Sequence, residues 1–313
     1  MSISQIMPPT QTIPVLDLQD FRRGDRPAFA AQLGQALEDT GFFALVNHGV
    51  DATLIQQAYQ LTEAFFSLPE AVKRHYEVPE LQGQRGFTRF GREHAKDHPL
   101  PDLKEFWHIG REAGDGYGAN LDIAEVPRFR PVMNELYNQL EACAVQLLQA
   151  CALYLGEPET LIAQMTQGGD TILRVIHYPP VPAQAHPASL RSAPHEDINL
   201  ITLLCEATAP GLELQQRDGT WLGIPALPGQ IIVDSGDMLQ QLTNGLLKST
   251  THRVVNPGND RERRFSMPFF VHPRREVDLT PLPGCIARVG VQRFPAITAG
   301  AYLQQRLAEI GLA

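Results

Sequence analysis

The spacing of apolar residues changes character near residue 170. Before that point it is mostly helical. Phe29, Leu33 and Leu37 stand four apart and predict a helix over about 27–39. Asp51 is a capping residue type and predicts a second helix running to about Phe66. Ser67-Leu68-Pro69-Glu70 breaks it and starts a short helix, with Pro69 at its first position. From Pro127 to Leu155 the residues Leu136, Leu140, Ala144, Leu147 and Leu148 share one side of a long amphipathic helix, which Gly156 and Pro158 end. Another helix is expected over about 159–166. Two strands interrupt this half: the alternating Ile13–Leu18, and the nearly continuous apolar run Gly41–Val50.

After residue 170 the period falls to two. Strands are expected at 171–178, 200–206, 211–216, 230–234, 238–242, 251–255 and 264–272. Asp218-Gly219 marks a hairpin turn, and Pro257-Gly258-Asn259 marks another turn. Short strands at this spacing point to a sandwich, jelly roll or barrel. A helix closes the chain from Thr298 to about Ile310. The least regular stretch is 80–120, punctuated by Gly83, Gly86, Gly91, Pro101 and Gly110. It reads either as a lid or pocket wall or as a surface excursion. Its aromatics Phe87, Phe90 and Trp107 belong either to that lid or to the core. No linker separates the parts. One domain is therefore expected: a helix-rich part over 1–170, a β core over 171–280 and a closing helix over 296–313.

Composition narrows the function classes. The chain has 313 residues, 43% hydrophobic, and a net charge of −9. That balance argues against a nucleic-acid or anionic-membrane surface. No apolar run approaches the roughly 20 residues of a membrane span. Residues 1–12 lack the features of a secretory signal and read as an arm. The four cysteines form no CxxC pair, so free thiols in a reducing cytoplasm are expected.

The candidate chemistry centres on His195-Glu196-Asp197. In an extended chain His195 and Asp197 project to one face, with Cβ atoms about 6–7 Å apart, and Glu196 to the other. An imidazole and a carboxylate so placed can close on one ion, and Fe(II), Zn and Mn all suit them. His252, ahead of Arg253-Val254-Val255 on an expected strand, is the best-placed third ligand. Two imidazoles and one carboxylate leave coordination positions open, as in non-haem Fe(II) oxygenases. Arg264 and Ser266 share a strand face in an otherwise apolar run. A guanidinium beside a hydroxyl is a receptor for a carboxylate. A hydrolytic zinc site needs no such receptor. An oxygenase using a keto acid does, because that acid chelates the metal at one end and must be held at the other.

Together these stretches resemble the isopenicillin N synthase-like family of 2-oxoglutarate- and Fe(II)-dependent oxygenases. The resemblance begins with Ile13–Leu18 and Gly41-Phe42-Phe43 with Asn47-His48-Gly49-Val50. It continues through His177-Tyr178-Pro179-Pro180, His195-Glu196-Asp197 and Gly236-Asp237-Met238-Leu239. It ends with Ser249-Thr250-Thr251-His252-Arg253-Val254 and Arg264-Phe265-Ser266. It implies a double-stranded β-helix (a distorted jelly roll) with helices packed on one sheet. It implies that His195, Asp197 and His252 bind iron, that Arg264 and Ser266 hold the distal carboxylate of 2-oxoglutarate, and that Tyr178 also contacts that co-substrate.

The implied reaction consumes O₂, releases succinate and CO₂, and oxidises a small molecule by hydroxylation, desaturation or ring closure. Some relatives use O₂ without 2-oxoglutarate, so an Fe(II) oxidase of the same fold is the alternative. A zinc hydrolase or metal-binding module is the alternative from another class. Strand alternation extends the map. If Arg264 and Ser266 face inward, so do Phe270 and His272; if Tyr178 does, so does Arg174. Arg174, Phe270 and His272 are the expected substrate-pocket residues. Arg174 is expected to meet either an anionic substrate group or an internal ion pair.

Overall fold

The computed structural model describes residues 13–81, 83–95, 100–112, 118–205, 207–225, 227–256 and 261–310. The expected arm at 1–12, the turn at Pro257-Gly258-Asn259 and parts of the 80–120 stretch lie outside the described residues.

The helix-rich part contributes β1 (Val15–Asp17), α1 (Leu18–Arg22), α2 (Arg26–Asp39), β2 (Phe42–Val46), α3 (Ala52–Phe66) and α4 (Glu70–Arg74). It continues with β3 (Gly86–Thr88), β4 (Glu105–Gly110), α5 (Phe129–Leu155) and α6 (Leu161–Met165). The period-two part gives β5 (Ile172–Tyr178), β6 (Ser192–His195), β7 (Ile201–Cys205), β8 (Leu212–Gln215), β9 (Trp221–Gly223) and β10 (Ile231–Ser235). After α7 (Asp237–Leu242) come β11 (His252–Val254) and β12 (Arg264–Val271), then α8 (Pro283–Val289) and α9 (Ala299–Glu309). One sheet has the order β1-β2-β10-β7-β12-β5-β4-β3, and the other β6-β11-β8-β9. Phe42, Ala44 and Ile232 of the first pack with Leu212 and Leu214 of the second, which joins the sheets face to face.

The outer face of the large sheet takes the helices. Helix α5 packs against β4, β7 and β12. Its stripe of Leu136, Leu140, Leu147 and Leu148 is fully buried. Each such leucine contributes about 1.5–3 kcal/mol of burial. Gly156 ends the helix in the left-handed region, at φ 76°. Asp51 caps α3 by accepting from the Thr53 N–H, as its residue type predicts. Among the described residues no helix is long and apolar enough to cross a membrane.

Two expectations need correction. Residues 238–242 form helix α7, not a strand. Met238, Leu239 and Leu242 are buried at spacings one turn satisfies, and a five-residue apolar run does not separate the two periods. Gly236 sets the entry to this helix: a Cβ there would lie 2.3 Å from the Asn199 carbonyl oxygen. The 80–120 stretch is also more regular than its glycines suggest. Its strands β3 and β4 extend the large sheet beyond β5. Phe87 and Trp107 are core rather than lid; the Trp107 ring lies 4.9 Å from Phe65 and 5.4 Å from Phe129. Only Phe90 of the three is exposed. Polar interior positions hid strand β4 from the hydrophobic pattern. Glu105, on that strand, is buried but paired with Lys73 at 2.6 Å and with His177 at 2.8 Å.

Candidate metal centre and flanking cavities

Antiparallel pairing of β6 and β11 sets His195 directly opposite His252, with ring centroids 4.4 Å apart. The chain leaves the strand after His195, so Asp197 is placed by a turn rather than by alternation along a strand. Two bonds fix that turn. The Thr202 hydroxyl donates to Asp197 Oδ2, and the Asp237 N–H donates to the Asp197 carbonyl at 2.7 Å. Asp197 Oδ1 then lies 3.8 Å from His195 Nε2 and 3.7 Å from His252 Nε2. The three donor atoms all fall within 4.8 Å of one another. Glu196 is elsewhere engaged, its carboxylate accepting from the Thr251 hydroxyl.

Both imidazoles are oriented by the backbone. His195 Nδ1 donates to the Ala193 carbonyl at 2.8 Å, and His252 Nδ1 to the Thr250 carbonyl at 3.1 Å. The proton on Nδ1 leaves the Nε2 lone pair facing Asp197. Burial, and then the neighbouring His252, hold His195 down to about 4, so it is neutral and able to ligate at neutral pH. Two imidazoles and one carboxylate, gathered on one side, are a fitting donor set for Fe(II).

Two cavities meet at this cluster. The smaller, about 60 Å³, lies between the sheets and is bordered by Tyr178, Arg264 and Ser266 as well as by the cluster. The β12–β5 register pairs Arg264 with Tyr178 and Ser266 with Ile176. Arg264 is 1% exposed. Its Nε donates to the Ala209 carbonyl at 3.0 Å, and its Nη1 is buried without a hydrogen-bond partner among the described residues. Among the described residues it has no carboxylate partner. A buried guanidinium left in that state is costly, and a ligand carboxylate satisfies both the charge and the free N–H. The guanidinium sits 4.9 Å from the Tyr178 ring centroid, and Arg191 lies 5.9 Å from the same ring.

The larger cavity, about 210 Å³, contains Arg174, Phe270 and His272 in its walls together with His195 and Asp197. Helix α9 adds Leu303 and Leu307. Arg174 forms the internal ion pair, with Nη1 3.0 Å from Glu93 Oε1, and its Nε donates to His108 Nε2 at 2.7 Å. Lys104 joins the network, 2.7 Å from Glu93 and 2.8 Å from Asp102. Burial alone would raise the Glu93 carboxyl, but Arg174 and Lys104 overcome it and hold it well below the usual carboxylate range. Burial, followed by the Arg174 charge, pushes His108 down, so it is neutral. Burial likewise lowers His272, to about 4.

All nine residues expected from the sequence therefore border one or both cavities. Sequence reasoning missed Glu93, Asp102, Lys104, His108 and Thr202. A signal existed for two of them: Lys104, Phe106 and His108 alternate with Glu105 and Trp107, which places one set on the cavity side. Glu93 sits in irregular chain and carried no such signal.

The jelly-roll architecture and this donor set together define a non-haem metalloenzyme. Residues 13–127 match the family described as non-haem dioxygenase in morphine synthesis N-terminal, and residues 169–273 match the 2OG-Fe(II) oxygenase superfamily. The proline hydroxylase buaE of Petromyces alliaceus is 31% identical, over 94% of this chain and 98% of its own length. A 2OG-Fe(II) oxygenase family protein from Caulobacter crescentus shares 38% identity at a TM-score of 0.85, covering 96% of this chain and 99% of that one. A full-length Neurospora crassa protein, solved in complex with alpha-KG, shares 27% identity at a TM-score of 0.86, covering 98% of this chain and 99% of that one.

The chain belongs to the isopenicillin N synthase-like family of 2-oxoglutarate- and Fe(II)-dependent oxygenases. It is a 2-oxoglutarate-dependent dioxygenase using Fe(II) and O₂, with a small molecule as its substrate. Neither the 2-oxoglutarate-free oxidase nor the zinc hydrolase is favoured by these likenesses.

Proposed function

We propose that His195, Asp197 and His252 hold the iron, that Arg264 and Ser266 hold the far carboxylate of 2-oxoglutarate, and that Tyr178 also contacts this co-substrate. The observation that carries this reading is the junction of the two cavities. The cluster stands where they meet, and the unpaired Arg264 Nη1 borders the smaller one. When bound, iron and the keto acid together supply the oxidising power, with succinate and CO₂ as products. The protein's share is placement. The Ala193 and Thr250 carbonyls hold the two imidazoles in the ligating tautomer. Thr202 keeps Asp197 turned toward them. Arg264 and Ser266 fix the co-substrate's reach, and Tyr178 flanks it. Arg174, Phe270 and His272 line the substrate side.

The test is anaerobic Fe(II) binding measured by calorimetry. Wild type should bind one ion per chain, and His252→Ala should lose that binding while staying folded. Full binding by His252→Ala would refute the ligand assignment.

We also infer that the protein is one domain, with a helix-rich part to about 170, a β core to about 280 and a closing helix from about 296. Strands β1 to β4 of the first part flank a sheet whose centre comes from the second. A cytoplasmic location belongs to the same reading, supported by four cysteines that are buried and free.

A further inference from the structure

The larger cavity contains two polar groups that its own walls leave unsatisfied. Glu93 is 7% exposed. Its Oε1 receives both Lys104, at 2.7 Å, and Arg174, at 3.0 Å, while its Oε2 is buried with no hydrogen-bond partner among the described residues. His272 is 8% exposed, and its Nδ1 is also buried without a partner among the described residues. Both residues border the cavity shared with His195 and Asp197. A buried carboxylate oxygen can only accept, so it asks for an N–H or O–H. A neutral imidazole offers one donor and one acceptor.

The charge of the cavity selects further. Lys104 and Arg174 balance Glu93 and Asp102. Elsewhere in the lining Asp170 pairs with Arg275 at 2.7 Å and Arg306 with Asp237 at 3.3 Å, Glu196 accepts from the Thr251 hydroxyl, and Asp197 is committed to the proposed metal site. A ligand with net charge would therefore bring an uncompensated ion into a buried site. An anionic ligand would in addition face the Glu93 Oε2 lone pairs. For size, a cavity of about 150 Å³ holds benzene, so about 210 Å³ takes one substituted ring. Phe270 and the leucines of α9 supply its apolar walls.

Building on the proposed function, we infer that the primary substrate is an uncharged molecule of single-ring size that gives an N–H to Glu93 Oε2 and shares a hydrogen bond with His272. A cyclic amide or imide has this pattern; a carboxylic acid or an amine, both charged at neutral pH, does not.

The experiment uses the full chain loaded anaerobically with Fe(II) and 2-oxoglutarate. The visible metal-to-ligand band that forms before any probe is added tests the proposed function separately. Glutarimide and 2-piperidone are then titrated as neutral probes, with cyclohexanecarboxylate and piperidine as charged ones. The neutral probes should shift the band saturably, and the charged probes should not. Glu93→Gln replaces the acceptor by a donor and should weaken the neutral probes about tenfold or more. His272→Leu should do the same, and it decides the matter where Glu93→Gln loses the starting band. A starting band that no neutral probe shifts at millimolar concentration overturns the inference. So does tighter binding of a charged probe, or unchanged affinity in His272→Leu.

Discussion

Arg264→Ala isolates the co-substrate anchor from the metal. The guanidinium is 1% exposed, so its bonds to a carboxylate would form out of water. Hydrogen bonds to charged groups are worth about 1.5–3 kcal/mol each, and a two-pronged contact therefore about 3–6 kcal/mol. At about 1.4 kcal/mol per decade, Kd for 2-oxoglutarate should rise by roughly 10² to 10⁴. Arg264→Lys keeps the charge but loses the fork, and should fall between. Iron affinity should hold, because Arg264 is not among the three clustered donors. The variant also loses its bond to the Ala209 carbonyl, which should lower Tm modestly without unfolding the chain. The assay is an anaerobic titration of 2-oxoglutarate into Fe(II)-loaded protein, read by the visible band. A Kd for Arg264→Ala within about threefold of wild type would refute the anchor role.

Other outcomes follow from the same contacts. Thr202→Val removes the hydroxyl that holds Asp197 and should weaken Fe(II) about 10- to 100-fold, read by calorimetry. Trp107→Ala opens the core rather than a lid and should cost about 3–5 kcal/mol in chemical denaturation; an effect confined to substrate KM would contradict that placement. The metal-free protein should lose stability in acid. Burial holds His272 at about 4, below the ordinary 6.5, so the unfolded chain takes up its proton first as pH falls. Stability from this group is complete above about pH 6.5 and declines toward pH 4, by roughly 2 kcal/mol between pH 7 and 5. His272→Gln should flatten that part of the pH dependence in thermal melts, and an unchanged slope would remove His272 as its source.

Much of the site was legible because its residues sit on strands, where alternation maps position to face. Arg264, Ser266, Phe270 and His272 fall at even intervals along and just beyond β12, and all four border the cavities. His195 and His252 were readable as a pair only in type; their opposition depends on the β6–β11 register, which no local pattern encodes. Asp197 reached its place for a reason other than the expected one, through a turn held by Thr202 and Asp237. The fold was legible in its long helix and its period-two half. It was obscured where interior polar side chains interrupt the hydrophobic pattern, as in β4 with Glu105 and His108. The Glu93–Lys104–Arg174 network was not legible, because long-range ion pairs leave no local period.

The most direct test of the account is release of labelled CO₂ from the first carbon of 2-oxoglutarate under O₂ and Fe(II). Wild type should release it even without primary substrate, at a slow uncoupled rate. His195→Ala, Asp197→Ala and His252→Ala should each abolish it, and Arg264→Ala should restore it only at high 2-oxoglutarate. Retained release in any of the three ligand variants, or none from iron-loaded wild type, would contradict the assignment of this centre.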